Sequence, residues 1–294
     1  MLHSTLLMKK NNFLIPKNSL QIYSYDKNIY KEIIALVKRL YIQSYRRPSN
    51  IIAGIIQPLL WLILFGALFQ NAPISLLGQY NIKYTQFLSY GIIAFTAFSS
   101  SINAGLPIIF DREFGFFNRL VVSPLVNKSA LFICLIIYTL IISIIQIIII
   151  TTLSLYLEKS ILEINHIISI ITITTIMIIN ISNFSICISF ILPGHIEFLA
   201  FTLIVNLPIL FSSTALAPLS FMPYWLQMIA CINPLTYSIE IIRYICINNS
   251  LKWNINIIET LWLQMNIQNC ILILILTNML SFIIVKKIVK DKYN

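Results

Sequence analysis

Phe110-Asp111-Arg112-Glu113-Phe114-Gly115-Phe116-Phe117-Asn118-Arg119-Leu120-Val121-Val122-Ser123-Pro124 places four charges between two long apolar runs, in a chain of which only 10% of residues are charged. Hydrocarbon does not solvate Asp111, Arg112, Glu113 or Arg119, so this island lies outside a bilayer while the runs on either side of it cross one. Working outward, the 294 residues are 58% hydrophobic, against roughly 25% charged in an ordinary soluble domain. The apolar runs approach or exceed the ~20 residues that cross a bilayer as a helix, so one all-α membrane domain absorbs the length and no soluble core is left over.

Six spans are expected: Ile51 to Phe69, Gln86 to Phe110, Ser129 to Leu157, Ile167 to Leu192, Phe198 to Ala217 and Cys270 to Val285. The basic residues fall unevenly around them. Sixteen of the twenty Lys and Arg lie before the first span, around Arg112, Arg119 and Lys128, or after the last span, and only Lys83, Lys159, Arg243 and Lys252 lie on the other side. That asymmetry predicts both termini on the inner side of a multi-pass protein. The net charge of +10 is therefore an orientation and lipid-surface signal. Nucleic-acid binding is not expected, since the basic residues are spread over separate segments and no recognisable fold presents them. Heavy use of isoleucine with Asn, Lys and Tyr resembles translation from an A+T-rich genome such as an organelle's, which makes a plastid membrane or a bacterial inner membrane the expected address.

Residues 1–27 are polar, basic and Asn-rich, are broken by Pro16, and lack the continuous apolar stretch of a secretory signal; they read as a flexible tail. Over 28–49, Ile29, Ile33, Leu36, Val37, Leu40 and Tyr41 recur at helical spacing among Lys and Arg, which predicts an amphipathic interfacial helix turning at Pro48 into the first span, an elbow. The membrane domain then occupies 50–287, and 288–294 form a basic tail. Between the fifth and last spans, Pro218, Pro223, Asn233 and Pro234 break an apolar region too irregular for one crossing, so a re-entrant pair of short helices is expected. Glu240 and Arg243 stand one turn apart and can pair, and Trp253 and Trp262 punctuate a stretch of interfacial character.

Two motifs carry a family resemblance. Asp111-Arg112-Glu113-Phe114-Gly115, followed by Arg119-Leu120 and Ser123-Pro124, resembles the cytoplasmic segment between the second and third helices of ABC-2 type transporter permeases. Asn233-Pro234-Leu235-Thr236-Tyr237 with Glu240 and Arg243 resembles the family's motif in the broken external region before the last helix. The resemblance runs from about Lys31 to Lys287. It implies a permease subunit of an ATP-driven exporter, whose inner segment docks into a groove on a separate ATPase subunit, with a second permease subunit, either a copy of this one in a homodimer or a different chain, completing the transport unit. On that reading Asp111, Arg112, Glu113 and Arg119 fix register against the partner, Phe114, Phe116, Phe117 and Leu120 supply apolar contact, and Gly115 permits a tight turn. The plainer reading is a charged loop obeying the positive-inside rule, which gives no reason for so many phenylalanines.

The chain has no G-x-x-x-x-G-K-[ST] loop and only seven glycines, so it is not expected to act as an enzyme, and ATP would be bound by the partner; no cofactor of its own is expected. His3, His166 and His195 are far apart and read as lying in a tail and two loops, so no metal site is expected. The five cysteines show no C-x-x-C spacing and read as packing residues, with a Cys231–Cys246 disulfide left open. The spans contain no Asp, Glu, Lys or Arg, which disfavours ion coupling. Their neutral polar residues either line a path for an amphipathic substrate, above all Thr96, Ser99, Ser100, Ser101 and Asn103, or bond across helices, as single residues such as Gln146, Asn180, Asn183 and Asn206 would. An ion-coupled secondary carrier and a non-transporting membrane-protein assembly factor remain as alternative readings.

Overall fold

A computed structural model describes residues 25–46, 48–70, 82–122, 130–158, 163–248, 255–260 and 264–293. Helices dominate because, without water, a spanning segment satisfies its backbone groups only within itself. Helix α1 (Tyr25–Arg46) precedes α2 (Ser49–Leu68), and α3 (Tyr84–Ile102) passes through a single 3₁₀ turn (Asn103–Gly105) into α4 (Leu106–Glu113). The short α5 (Phe116–Val122) leads to α6 (Ala130–Glu158), α7 (Ile164–Ile191) and α8 (His195–Phe211). Two short helices, α9 (Tyr224–Ile232) and α10 (Pro234–Asn248), are followed by strands β1 (Asn256–Glu259) and β2 (Gln264–Asn266) and by α11 (Ile267–Tyr293).

Among the described residues, five helical segments are long and apolar enough to span: 51–68, 84–113, 130–158, 164–191 and 267–287. The fifth expected span, Phe198 to Ala217, is the shorter 17-residue α8, which starts at His195 and ends at Phe211. Pro208 sits in its last turn, and the chain leaves the helix through the turn at Ser212 and Ser213. The broken region resolves into α9 and α10, with Pro234 at the first position of α10. The all-α expectation needs one correction, because β1 pairs antiparallel with β2. Ile258 is buried in that ribbon, so a four-residue strand gains a packed side chain as well as its ladder bonds. Trp253, Trp262, Ser123 and Pro124 lie outside the described residues, as do residues 1–24 of the expected tail and the Lys159 and Lys252 positions.

The most deeply buried spanning segment is that of α3, which packs on α2, α6, α7 and α10. Gly91 of α3 permits a close approach to the turn after α8, since a β-carbon there would stand 2.5 Å from the Ala215 carbonyl oxygen. Where α3 gives way to α4, Pro107 offers no N–H and the ladder breaks. The Ser185 hydroxyl of α7 repairs it, donating to the Ile102 carbonyl (2.6 Å) and accepting from the Gly105 N–H (2.9 Å). Neighbouring α7 and α11 run in parallel, tied by Asn180 to Thr277 (2.9 Å) and Asn183 to Ser281 (3.5 Å). For these two asparagines the bonding role across helices is the one realised.

Candidate functional site

The charged island is built from α4 and α5. Leu106, Ile108 and Ile109 face inward, and Phe198 of α8 packs against Leu106 and Ile109. The helix stops at Gly115, whose φ of 70° belongs to the left-handed region; its N–H reaches the Arg112 carbonyl (3.2 Å). The reversal then starts α5.

Three consecutive charges on α4 are used inside the chain. Asp111 accepts from Arg39 of α1. Arg112 donates to the Ser189 and Leu192 carbonyls at the end of α7. These carbonyls belong to a helix C-terminus, where no intrahelical donor is available and a cation is favoured. Glu113 accepts from both the backbone N–H of His195 (2.6 Å) and its imidazole Nδ1 (2.5 Å), at the first residue of α8. The Arg39 guanidinium also lies over the Phe116 ring, 4.6 Å from its centroid. Phe117 meets Phe190 of α7 at 5.9 Å, and Leu120 packs with it on the cluster of Leu40, Phe132 and Phe190. Phe114 and Val122 are exposed (72% and 85%), with Asn118 and Arg119 beside them.

The sequence expectation that all four island charges face a partner therefore differs from what is observed, where Asp111, Arg112 and Glu113 bind α1, α7 and α8. Phe117 and Leu120 also turn inward. Sequence reasoning missed Arg39 and His195, and placed His166 and His195 in loops, whereas both lie in helices. A usable signal existed: with alternating spans, the turn at Pro193-Gly194 falls on the same side as the island.

The second motif gathers at the opposite end of the bundle. Asn233 caps α10, its Oδ1 accepting from the Leu235 N–H (3.0 Å) and its Nδ2 donating to the Ile209 carbonyl (3.0 Å). Leu235 and Thr236 are fully buried, and the Tyr237 hydroxyl donates to the Cys231 carbonyl. Glu240 and Arg243 form the expected pair at 2.6 Å, but both are buried. Arg243 also donates to the Thr214 carbonyl (2.9 Å) and lies 3.6 Å from the Phe87 ring centroid at the start of α3. These residues clamp α3, α10 and the turn after α8. All five cysteines are free thiols, Cys231 and Cys246 included.

Between these ends α1, α2, α3, α4, α6 and α8 line a partly open cavity of about 370 Å³. Of the five expected path residues, Ser99, Ser100 and Asn103 line it. Thr96 and Ser101 do not; their hydroxyls return to the Ile93 and Ala97 carbonyls of their own helix (2.6 and 2.5 Å). Gln146 of α6 and Asn206 of α8 also line it, as do Gln43, Ser44, Gln57, Tyr138, Thr139 and Thr202. Among the described residues no cluster of three or more His, Cys, Asp or Glu side chains could hold a metal ion.

The ABC-2 type transporter family model matches residues 31–247, which takes in α2 to α10 and both motifs. The chain belongs to the ABC-2 type transporter family. It is 46% identical over 274 residues to a protein of Porphyra purpurea named as a transport permease, ycf38, with 93% of each chain covered. Identity is 47% over 276 residues to the protein of that name in Pyropia yezoensis, again over 93% of each chain, and 45% over 261 residues to that of Cyanophora paradoxa, covering 89% of this chain and 90% of the relative. The chain is thus a multi-pass membrane transport permease of the ABC-2 type, and the island turn and the buried clamp lie at the two ends of its helical bundle.

Proposed function

We propose that this permease is the membrane subunit of an ATP-driven exporter, moved by a separate ATPase that docks on the α4–α5 turn, and that it works as a dimer in a plastid membrane with both termini on the docking side. The observation that carries the proposal is the division of labour within the island. Phe114, Asn118, Arg119 and Val122 face outward, while Asp111, Arg112 and Glu113 fasten the same turn to α1, α7 and α8. A pushed element transmits motion only if it is stiff and anchored, and an α4 continuous with α3 except for one repaired 3₁₀ turn meets that need. An aromatic beside an arginine on an exposed turn suits an interface core better than bulk water. Energy comes from elsewhere, since the chain carries no phosphate-cradling loop. The algal relatives and the A+T-biased composition support the plastid address.

The test is capture of a nucleotide-binding chain by the tagged permease from its native membrane. Phe114→Ala with Arg119→Glu should abolish capture. Glu113→Gln and His195→Gln should retain capture but weaken the link between ATP hydrolysis and transport. Capture that survives the outward-face changes would overturn the docking assignment.

A further inference from the structure

The last two turns of α1 lie immediately before the first span, since α1 ends at Arg46 and, past Pro48, the apolar stretch of α2 covers 51–68. A helix end so placed sits at the level of the lipid headgroups. Arg39, Ile42, Gln43 and Arg46 recur there at i, i+3, i+4 and i+7, so they share one face, and they line an open concavity of about 340 Å³. No acidic residue is among them. Arg39 is half-buried, its guanidinium held by Asp111 and laid over the Phe116 ring, which fixes one wall of the concavity. Arg46 is exposed, and no ion pair reaches it among the described residues. Because Asp111 answers the Arg39 charge, the Arg46 charge is the one left uncompensated on this face. Ile42 is exposed as well, as are the neighbouring Tyr41 and Tyr45. An aliphatic side chain with two tyrosines suits the boundary between headgroups and acyl chains better than open water.

We propose that this concavity holds the headgroup of an anionic lipid from the leaflet on the island side, its phosphate between Arg39 and Arg46, the Gln43 amide donating to it, and its chains passing Ile42. A zwitterionic lipid brings its own cation to a face that already carries an uncompensated one, and an anionic lipid does not. A soluble phosphate would meet the same arginines but leave Ile42 and the tyrosines in water. Occupancy engages the guanidinium that holds Asp111 and covers Phe116, so the bound headgroup braces the α4–α5 turn. That consequence rests on the docking role proposed for the turn. The site itself does not, and its test uses no ATPase, so either can fail while the other stands.

The full-length permease is placed in phosphatidylcholine nanodiscs that carry a tracer of phosphatidylglycerol or of phosphatidylcholine, each with a diazirine at the top of one acyl chain, and cross-linked peptides are mapped after irradiation. On the native chain the phosphatidylglycerol tracer should label residues 39–46 about fivefold more than the phosphatidylcholine tracer, the preference that one basic side chain at a lipid surface supports. Arg46→Gln should bring the two tracers close to equality, and Arg46→Lys should keep most of the preference. Lys38→Gln removes an exposed cation of the same helix that points about 100° away from Arg39, and should leave the ratio unchanged. Inorganic phosphate exchanged for chloride at constant ionic strength should not remove the label. The comparison of tracers on the native chain needs no variant, so it decides the matter even where a substitution unfolds the protein. Equal labelling of residues 39–46 by the two tracers, an equal fall in the ratio from Lys38→Gln and Arg46→Gln, or displacement by inorganic phosphate would overturn the proposal.

Discussion

Asp111, Arg112 and Glu113 at one end of the bundle, and Glu240 with Arg243 at the other, use the same residue types under opposite conditions. The island charges are partly or largely exposed and bind three different elements one by one. Water competes with each tie, so none is worth much to stability, and each can be broken and remade. The distant pair is desolvated, and its arginine is held by a carboxylate, a backbone carbonyl and an aromatic face together. Removing one member there strands a buried charge. The difference teaches that one end of this permease is held by separate, water-accessible ties, while the other is a desolvated seam about which the helices are held.

The strongest break in that comparison is Glu240→Ala, which leaves Arg243 buried without its carboxylate and should cost about 3–5 kcal/mol, read as loss of the monodisperse protein in size-exclusion chromatography. Replacing the pair together, by Glu240→Leu with Arg243→Met, should recover most of that loss, because the desolvation penalty disappears with both charges. Gly91→Val tests whether the seam is also a close backbone contact. Its added carbons meet Ala215 main chain, which cannot rotate away, and should cost about 1–3 kcal/mol in a denaturant titration. At the island end Asp111→Ala should cost less, about 1 kcal/mol at most, by releasing Arg39 from the turn. Ser143→Ala, which removes the 2.7 Å bond to Ser100 between α6 and α3, should cost ~0.6 kcal/mol in the same titration. His195→Gln stands last. It should leave thermal unfolding unmoved, and a large drop in stability from it would erase the contrast between the two ends.

Much of the fold was legible because bilayer physics writes itself into local sequence. Runs of isoleucine and leucine mark the crossings, and α2, α6, α7 and α11 lie within a few residues of the expected spans. The pair of short helices was readable from Pro223, Asn233 and Pro234, each of which restricts backbone geometry by itself. Shortening of the fifth crossing to α8 was less visible, since Ser212 to Ala217 are apolar enough to continue a span and only their packing against Gly91 and Arg243 turns them out of the helix. The β1–β2 ribbon was not visible, because a four-residue strand carries too little pattern to be told from a loop.

In the candidate site, residue types were legible and their partners were not. The island, Gly115 as its turn, and the Glu240–Arg243 pairing follow from neighbours within one or two turns of chain. The ties from Asp111 to Arg39 and from Glu113 to His195 join residues 72 and 82 positions apart, and no local periodicity encodes such distances. The same holds for the cavity, where Ser99 and Ser100 face inward while adjacent Ser101 bonds its own helix.

By itself the sequence determined that the chain crosses a membrane several times, which segments cross, and where charge is kept out of hydrocarbon, because transfer free energy is a property of each segment alone. Only tertiary structure decided which island charges are spent within the chain, which pair is sealed from water and which polar side chains share a cavity. Those outcomes depend on distances between helices, and such distances are set by packing among residues far apart in the chain.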